Sequence, residues 1–306
     1  MRQAITQRVI RMAIAATARV PAGTQSAVAR RAVLLGGGIP VLRRKVLANM
    51  RLALGGDVPD EAARLYFEHA GWFLANALAT FHHGVERTPV IGDVDLGPTV
   101  SVLDEAMAEG RGVVLATPHW SGHELIGGVI ARRHPMVMLV RQTSAAERAA
   151  RKLHWYRALG AQTVIRPEHT SAINDAAAYL KALKQRKVLG ITPDLLSSPG
   201  QGVGISLFGR SARVYGGAFA FAITTGAPLI RFYLTWQPDE KVTLTFEKAP
   251  PPPFGASRDA AIQASTQEWF RWFEDRLRIS PENWLFWLDR RWSRFLTETP
   301  RSAPAE

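Results

Sequence analysis

The sequence predicts an α/β fold with a largely parallel central sheet flanked by helices. Between residues 99 and 234, short runs rich in β-branched residues alternate with longer stretches of helical periodicity. This alternation is typical of parallel sheets that helices cover on both faces. The predicted strands are residues 112–116, 136–140, 162–165, 188–192 and 229–234. The helices predicted between them include residues 101–109, 145–159, 172–185 and 216–225.

Helical segments are predicted on both sides of this sheet. Residues 1–85 carry helical periodicity, and Pro59, Asp60 and Glu61 indicate a helix start, because proline and acidic residues are favoured in the first turn. Four prolines at 250–253 interrupt the chain before a last helix, predicted over 259–277. We therefore divide the chain into a basic helical segment (1–56), an α/β domain (57–296) and a flexible tail (297–306).

Positive charge is concentrated at one end of the chain. Of the formal net charge of +12, residues 1–56 hold ten basic side chains and no acidic one, which leaves +2 for the rest. A nucleic-acid-binding protein would carry its excess charge more widely, so we expect no nucleic-acid partner. Arg8, Arg11 and Arg19 fall on one side of a helix, which suits either a solvated helix face or a helix on an anionic membrane surface.

The composition also bears on membrane insertion and on cysteine chemistry. A membrane span needs about 20 apolar residues. The longest uncharged run, residues 214–230, is interrupted by three glycines and a proline, so we expect peripheral or monotopic attachment. The absence of cysteine excludes disulfides, thiolate zinc sites and a cysteine nucleophile.

Ionisable side chains follow four successive predicted strands. His119 and Glu124 come after the first strand, Arg141 after the second, Arg166 after the third and Asp194 after the fourth. Ligands of open parallel sheets bind beyond the carboxyl ends of the strands. The sequence therefore predicts a site at this edge of the sheet.

His119 and Glu124 are the most specific pair at this edge. They can meet only if the chain turns between them, and Ser121-Gly122 permits such a turn. A carboxylate that bonds one imidazole nitrogen leaves the other nitrogen to deprotonate a hydroxyl. The alternative is a loop histidine with a local hydrogen bond. A metal site with His123 lacks a further ligand cluster, so we predict no metal and no other cofactor.

Tryptophan and arginine are concentrated near the end of the chain. Arg290 and Arg291 lie in the segment 281–292, which suits either a membrane interface and a phosphate-bearing amphiphile or a helix packed on the sheet. The sequence leaves both interpretations open. Five of the nine tryptophans fall within residues 269–292: Trp269, Trp272, Trp284, Trp287 and Trp292.

Taken together, these motifs resemble the late lauroyl/myristoyl acyltransferases of bacterial lipid A biosynthesis, to which phosphatidylinositol mannoside acyltransferases are related. His119 and Glu124 match the H-x4-E motif of that family. Further similarity lies at residues 44–52, 190–194, 207–210, 225–228 and 281–292. The sequence departs from the family pattern in residues 120–123 inside the motif, at Leu195, and at Leu288-Asp289 in the terminal signature.

The resemblance implies a glycerolipid-acyltransferase-like fold over 57–296 and an activity. His119, oriented by Glu124, would deprotonate a glycolipid hydroxyl, which attacks an acyl thioester of acyl-carrier protein or coenzyme A without a covalent enzyme intermediate. Arg141 and Arg166 would bind anionic substrate groups. Asp194 would orient Arg141 or a substrate hydroxyl. Arg290 and Arg291 would also contact substrate, on the cytoplasmic face of the bacterial inner membrane.

Three other functions stay open at this point. A lysophospholipid acyltransferase would use the same motif, usually with Asp in place of Glu. A non-catalytic lipid-binding protein could retain the fold, and a metal-dependent hydrolase would use the two histidines.

Overall fold

A central sheet of seven strands organises the protein. The computed structural model describes Met12, Ala15, Thr17 and residues 20–141, 146–166, 172–198, 200–237 and 241–300. The strands are β1 (Val94–Asp95), β2 (Val113–Ala116), β3 (Met136–Arg141), β4 (Gln162–Arg166), β5 (Val188–Ile191), β8 (Leu229–Trp236) and β9 (Val242–Lys248). Their order in the sheet is β1-β9-β8-β2-β5-β3-β4.

Neighbouring strands of this sheet are parallel, except for the antiparallel pair β8 and β9. The predicted α/β class, with its mostly parallel sheet, is therefore confirmed. Strand β2 lies between β5 and β8, and all four of its side chains are buried. Because β2, β3, β4 and β5 run in one direction, their carboxyl ends meet at a single edge.

Helices follow and cover the strands as the alternating pattern predicts. They are α5 (Val100–Ala108), α6 (His123–Ala131), α7 (Ala146–Ala158), α8 (Ala172–Lys184), α9 (Gly217–Thr225) and α10 (Arg258–Ile279). Helix α5 contacts β9 and β2, α6 contacts β3, α7 contacts β4, and α9 contacts β2. Helices α5 and α7–α10 each begin within one residue of the start that the sequence predicts.

Helices also form the first part of the chain. They are α1 (Ala22–Gly37), α2 (Pro40–Leu54) and α3 (Asp60–His83), followed by a single turn, α4 (Val90–Asp93). Helix α3 begins directly after Pro59, as predicted, and it packs against α1, α2 and α7. Arg8, Arg11 and Arg19, on which the amphipathic prediction depends, lie outside the described residues. Among the helices that are described, none combines the length and apolar character needed to cross a bilayer.

A separate hairpin, not predicted from the sequence, joins the end of β5 to α9. It consists of β6 (Val203–Leu207) and β7 (Arg210–Val214), which pair antiparallel. Phe208 and Gly209 form its two-residue turn with φ angles of 54° and 67°. Two consecutive positive φ angles match the right-handed twist of a hairpin. Phe208 tolerates this conformation because its side chain is fully buried against Phe273 and Trp284.

The tryptophan-rich end of the chain belongs to the core. Two 3₁₀ turns, Pro281–Asn283 and Leu285–Leu288, lead into α11 (Arg290–Glu298). The five tryptophans of this region are 0–5% exposed. Trp284 contacts the rings of Trp287 and Trp292 edge to face. Of the two interpretations that the sequence left open, the packed one is therefore correct for the tryptophans, whereas Arg290 and Arg291 face solvent.

Replacing Trp292 by Ala is expected to destabilise the protein by about 3–5 kcal/mol, because it removes a buried ring from this cluster. Arg291→Ala, at the preceding exposed position, is the control and should change stability by less than about 0.5 kcal/mol. Urea unfolding, followed by tryptophan fluorescence, measures the free energy of unfolding of both variants. Equal, small effects of the two substitutions would contradict the packing described here.

Candidate active site

His119 lies in the loop that follows the central strand β2. Its backbone carbonyl accepts a hydrogen bond from the amide of Leu285 (2.9 Å), and the amide of Ser121 donates to the carbonyl of Asn283 (2.7 Å). Between these two bonds, Trp120 and Trp284 form an antiparallel bridge. The C-terminal segment therefore holds the His119 loop by its backbone.

A buried carboxylate, Asp194, binds the His119 ring. Its Oδ1 lies 2.7 Å from His119 Nδ1, and its Oδ2 accepts hydrogen bonds from the His119 amide (2.9 Å) and the Trp284 indole (2.7 Å). Asp194 reaches this position because it follows β5, the parallel neighbour of β2. Burial alone would raise the pKa of Asp194, but the adjacent His119 and these hydrogen bonds outweigh it and lower the pKa below its ordinary value.

Glu124 does not contact the His119 ring, which differs from the sequence prediction. It lies in the first turn of α6, and its side chain points towards α7. There its two oxygens accept hydrogen bonds from the Trp155 indole (2.9 Å) and the Tyr156 hydroxyl (2.7 Å). The predicted turn between His119 and Glu124 does form at Ser121-Gly122, but it carries Glu124 past the imidazole. The neighbouring strand supplies the carboxylate instead.

A second imidazole, that of His123, lies beside the first. The ring centroids of His119 and His123 are 4.8 Å apart. His123 Nδ1 is 3.0 Å from the carbonyl oxygen of Trp120. Burial and the neighbouring His119 lower the pKa of His123 to about 4, although Glu124 and Asp194 act in the opposite direction. His123 is therefore neutral at neutral pH.

His119, His123 and Glu124 line one cavity of about 570 Å³. Its walls are mostly apolar and include Met136, Met138, Tyr156, Ile191 and Phe221. A cavity of this size is within the range that holds small ligands or an alkyl chain. The arrangement combines an oriented imidazole with a mostly apolar cavity at the carboxyl edge of the sheet.

Two glycines make room for the methionines of this cavity. A Cβ at Gly127 would lie 2.6 Å from the Met138 methyl carbon, and one at Gly190 would lie 2.5 Å from that of Met136. Both glycines line the cavity together with their methionines. The methionine methyl groups therefore pack directly against helix α6 and strand β5.

The four arginines predicted as substrate-binding residues fall into two groups. Arg141 and Arg166 are Cα partners at the ends of β3 and β4, at the same edge as His119. Their side chains lie outside the described residues. Arg290 and Arg291 are exposed on α11, and neither is among the described residues that line the cavity. Asp194, predicted to orient Arg141 or a substrate hydroxyl, is fully buried and bonds His119 instead.

Three further residues of the site were not predicted. Trp284 was singled out only as part of the aromatic segment, and Trp155 and Tyr156 not at all, although each donates a hydrogen bond to a site carboxylate. No local pattern in the sequence signals such long-range contacts. Within the described ranges, no group of three or more His, Asp and Glu side chains is placed to hold a metal ion.

A comparison with protein families finds a match over residues 98–294. The matching model is that of the bacterial lipid A biosynthesis acyltransferases. A comparison with curated individual proteins finds no match. The matched region begins just before α5 and ends within α11, so it contains the whole of the site described above.

The buried histidines predict how stability depends on pH. Burial lowers the pKa of His69 to about 3 and that of His123 to about 4, against about 6.5 in the unfolded chain. The stabilisation that comes from keeping these two histidines neutral is fully present above pH 6.5. It is lost as the pH falls towards their pKa values in the folded protein, because the unfolded state binds protons first. When the pH falls from 7.5 to 5, the free energy of unfolding of His123→Gln should decrease by about 2 kcal/mol less than that of the wild type.

Urea unfolding at several pH values measures this difference. His134→Gln is the control, because His134 is bonded to Asp104 away from the cavity. Parallel pH curves for the wild type and His123→Gln would contradict the burial of a neutral His123.

Proposed function

Because the chain belongs to the bacterial lipid A biosynthesis acyltransferase family, and is thus an acyltransferase, we propose that it transfers a fatty acyl group from a thioester to a hydroxyl of a membrane glycolipid. The donor is acyl-carrier protein or acyl-coenzyme A, and His119 is the general base. The observation that carries this proposal is the His119 ring, bonded through Nδ1 to the buried Asp194 at the wall of an apolar cavity.

The hydrogen-bonding geometry supports a base at Nε2. A carboxylate only accepts hydrogen bonds when it is ionised, so Nδ1 carries the ring proton and Nε2 keeps its lone pair. In the proposed reaction Nε2 takes the hydroxyl proton while the oxygen attacks the thioester carbonyl. The tetrahedral intermediate then expels the thiolate, which receives the proton from His119. Asp194 stabilises the imidazolium that exists between these steps.

The roles of the other ionisable residues follow from their positions. Asp194 orients His119, in place of the predicted Glu124. Glu124 holds Tyr156 at the cavity wall and also accepts a hydrogen bond from Trp155, so it shapes the acyl site and does not orient the base. For an anionic group of the substrate and for the oxyanion we retain Arg141 and Arg166, since their strands end at this edge.

Substitution of the two carboxylates distinguishes their roles. His119→Ala should lower kcat at least about 100-fold, the usual scale for a general base. Asp194→Asn should come close to this loss, because an amide can hold the wrong tautomer of the ring. Glu124→Gln leaves the hydrogen bond between His119 and Asp194 in place. We therefore expect this variant to have a higher kcat than Asp194→Asn.

The kcat of each variant is measured from the transfer of a labelled acyl chain to an extracted glycolipid fraction. The matched control is a second His–carboxylate pair, in which His134 Nε2 lies 2.6 Å from Asp104 Oδ1 and His134 follows the C-terminal end of α6. His134→Ala should leave kcat within about twofold, as expected of a substitution remote from the reaction. A near-wild-type kcat in His119→Ala would contradict the role of His119 as the general base.

The apolar cavity fits the acyl chain of the donor. His119 lines this cavity together with Met136 and Met138. Each methylene of a buried chain is worth about 0.8 kcal/mol, a factor of about 4 in kcat/KM. The depth of the cavity therefore determines which chain lengths are transferred efficiently.

Met138→Ala should shift the preferred acyl chain to a longer one by about two methylenes, because it removes the side chain that packs on Gly127. Competition between thioesters of different acyl chain lengths measures the shift. Met107→Ala, a methionine on α5 that does not line the cavity, is the control. An unchanged chain-length profile in Met138→Ala would show that the acyl chain lies elsewhere.

We also propose that the protein attaches peripherally to the cytoplasmic face of the bacterial inner membrane through α1 and α2. Leu35, Ile39 and Val41 are 77%, 48% and 65% exposed around the turn between these helices. Arg43, Arg44 and Lys45 are exposed directly after them. An exposed apolar tip beside several cations suits the interface of an anionic bilayer.

Replacing Arg43, Arg44 and Lys45 by Ser should weaken binding to phosphatidylglycerol-containing vesicles by about 10–100-fold, since each cation near the surface contributes about 1 kcal/mol. Vesicle flotation measures the binding. The control, with the same charge change, replaces Lys184, Arg186 and Lys187, which lie at the end of α8 and directly before the amino end of β5. Equal losses in the two triple variants would exclude this surface as the membrane contact.

A further inference from the structure

Strands β2 and β5 end in the same three-residue pattern. Thr117-Pro118-His119 follows β2, and Thr192-Pro193-Asp194 follows β5. The last residues of the two strands, Ala116 and Ile191, are Cα partners in the parallel register, and the amide of Thr117 still donates to the carbonyl of Ile191 (3.1 Å). The two threonines are therefore side by side on neighbouring strands, which lie about 4.8 Å apart.

The prolines explain why the two strands stop pairing at this point. In a parallel ladder the next bond would run from the amide of residue 193 to the carbonyl of Thr117, but Pro193 has no amide hydrogen. Beyond it, the two segments are joined by the bonds of Asp194 to the ring and the amide of His119 (2.7 and 2.9 Å). Two residues span at most about 7 Å, so both threonines lie close to this pair.

Both threonines belong to the wall of the cavity that His119 lines. Leu115 and Gly190, two residues earlier on the same strands, also line it, as expected from the alternation of side chains along a strand. The hydroxyl of Thr117 lies 3.4 Å from the carbonyl oxygen of Pro118. The hydroxyl of Thr192, which is part-buried, has no hydrogen-bond partner among the described residues. Thr192 therefore brings a free donor to the cavity wall.

The proposed reaction needs such a donor beside the thioester. Attack on the carbonyl carbon moves negative charge to the carbonyl oxygen, and a hydrogen-bond donor placed there lowers the barrier. The hydroxyl of Tyr156 already donates to Glu124. Arg141 and Arg166 lie on β3 and β4, which are one and two strands further from β2 than β5 is. Thr192 combines a free hydroxyl with a strand directly beside that of His119.

We propose that Thr192 is a catalytic residue whose hydroxyl donates a hydrogen bond to the carbonyl oxygen of the thioester. The inference rests on the proposed function, in which His119 activates an alcohol. The bond is strongest in the tetrahedral intermediate, where the oxygen is negatively charged. Thr192 keeps its proton throughout, because the alcohol proton passes to His119 and then to the thiolate when the carbon–sulfur bond breaks. Arg141 and Arg166 add positive charge from further along the same edge.

Removal of the hydroxyl tests this role. Thr192→Val replaces the hydroxyl by a methyl group of similar size and should lower kcat by about 100-fold with KM within about twofold, because the lost bond matters most in the transition state. Thr192→Ser keeps the donor and should recover most of kcat. The control is Thr245→Val, on β9, since Thr245 is also a part-buried strand threonine but is not among the described cavity residues. Its kcat should stay within about twofold of the wild type.

The infrared spectrum of the bound thioester separates a catalytic Thr192 from a merely structural one. The probe is a lauroyl thioester with ¹³C at its carbonyl carbon, bound without a lipid acceptor. It is prepared on whichever carrier, coenzyme A or acyl-carrier protein, gives the wild type its higher kcat/KM. A hydrogen bond polarises the carbonyl, so its stretching band should lie at lower wavenumber in the wild type and in Thr192→Ser than in Thr192→Val.

The thermal midpoint of each variant checks that it is folded. If Thr192→Val does not fold, Thr192→Ala replaces it, because alanine also lacks the hydroxyl. A near-wild-type kcat in the variant without the hydroxyl, or a carbonyl band at the same position as in the wild type, would overturn the inference but leave His119 as the base. A wild-type protein that transfers no acyl group would instead contradict the proposed function.

Discussion

The site depends on a carboxylate that has no access to water. Asp194 is 0% exposed, and a buried charge without partners costs several kcal/mol. Three donors compensate for this cost: the ring and the amide of His119 and the indole of Trp284. These donors come from the loop after β2 and from the C-terminal segment, while the carboxylate comes from the end of β5. One buried charge therefore ties together three parts of the chain that are distant in sequence.

This constraint explains why the tryptophan-rich segment is packed rather than exposed. Trp284 must be buried for its indole to reach Asp194, and the bridge to Trp120 fixes its backbone at the same time. The rings of Trp287 and Trp292 pack edge to face against the ring of Trp284 and so hold its indole in place. Packing at the end of the chain is thus a condition for the orientation of His119. Loss of the tryptophan packing should disturb the orientation of His119, and loss of that orientation should disturb the packing, because a buried hydrogen-bonded group cannot lose a partner without a cost in free energy.

The parallel strands, the covering helices and the edge at which the site lies could be predicted from the sequence, because β-branched runs and helical periodicity are local signals. The hairpin of β6 and β7 was missed, since its alternating pattern is short and its turn has Phe208 where a glycine or asparagine would be the usual signal. The contact between His119 and Asp194 was missed for a different reason. Both residues were predicted to lie at this edge, but the choice between Asp194 and Glu124 depends on which strand lies beside β2. Strand order is a tertiary property that local patterns do not encode.

The protonation of His119 in solution tests this account most directly. In a protein labelled with ¹⁵N-histidine, we expect NMR to show His119 protonated at Nδ1, with a proton shifted downfield by its bond to Asp194. This signal should disappear in Asp194→Asn and persist in Glu124→Gln. A His119 protonated at Nε2, or an Nδ1 signal that Glu124→Gln removes and Asp194→Asn leaves unchanged, would contradict the central claim.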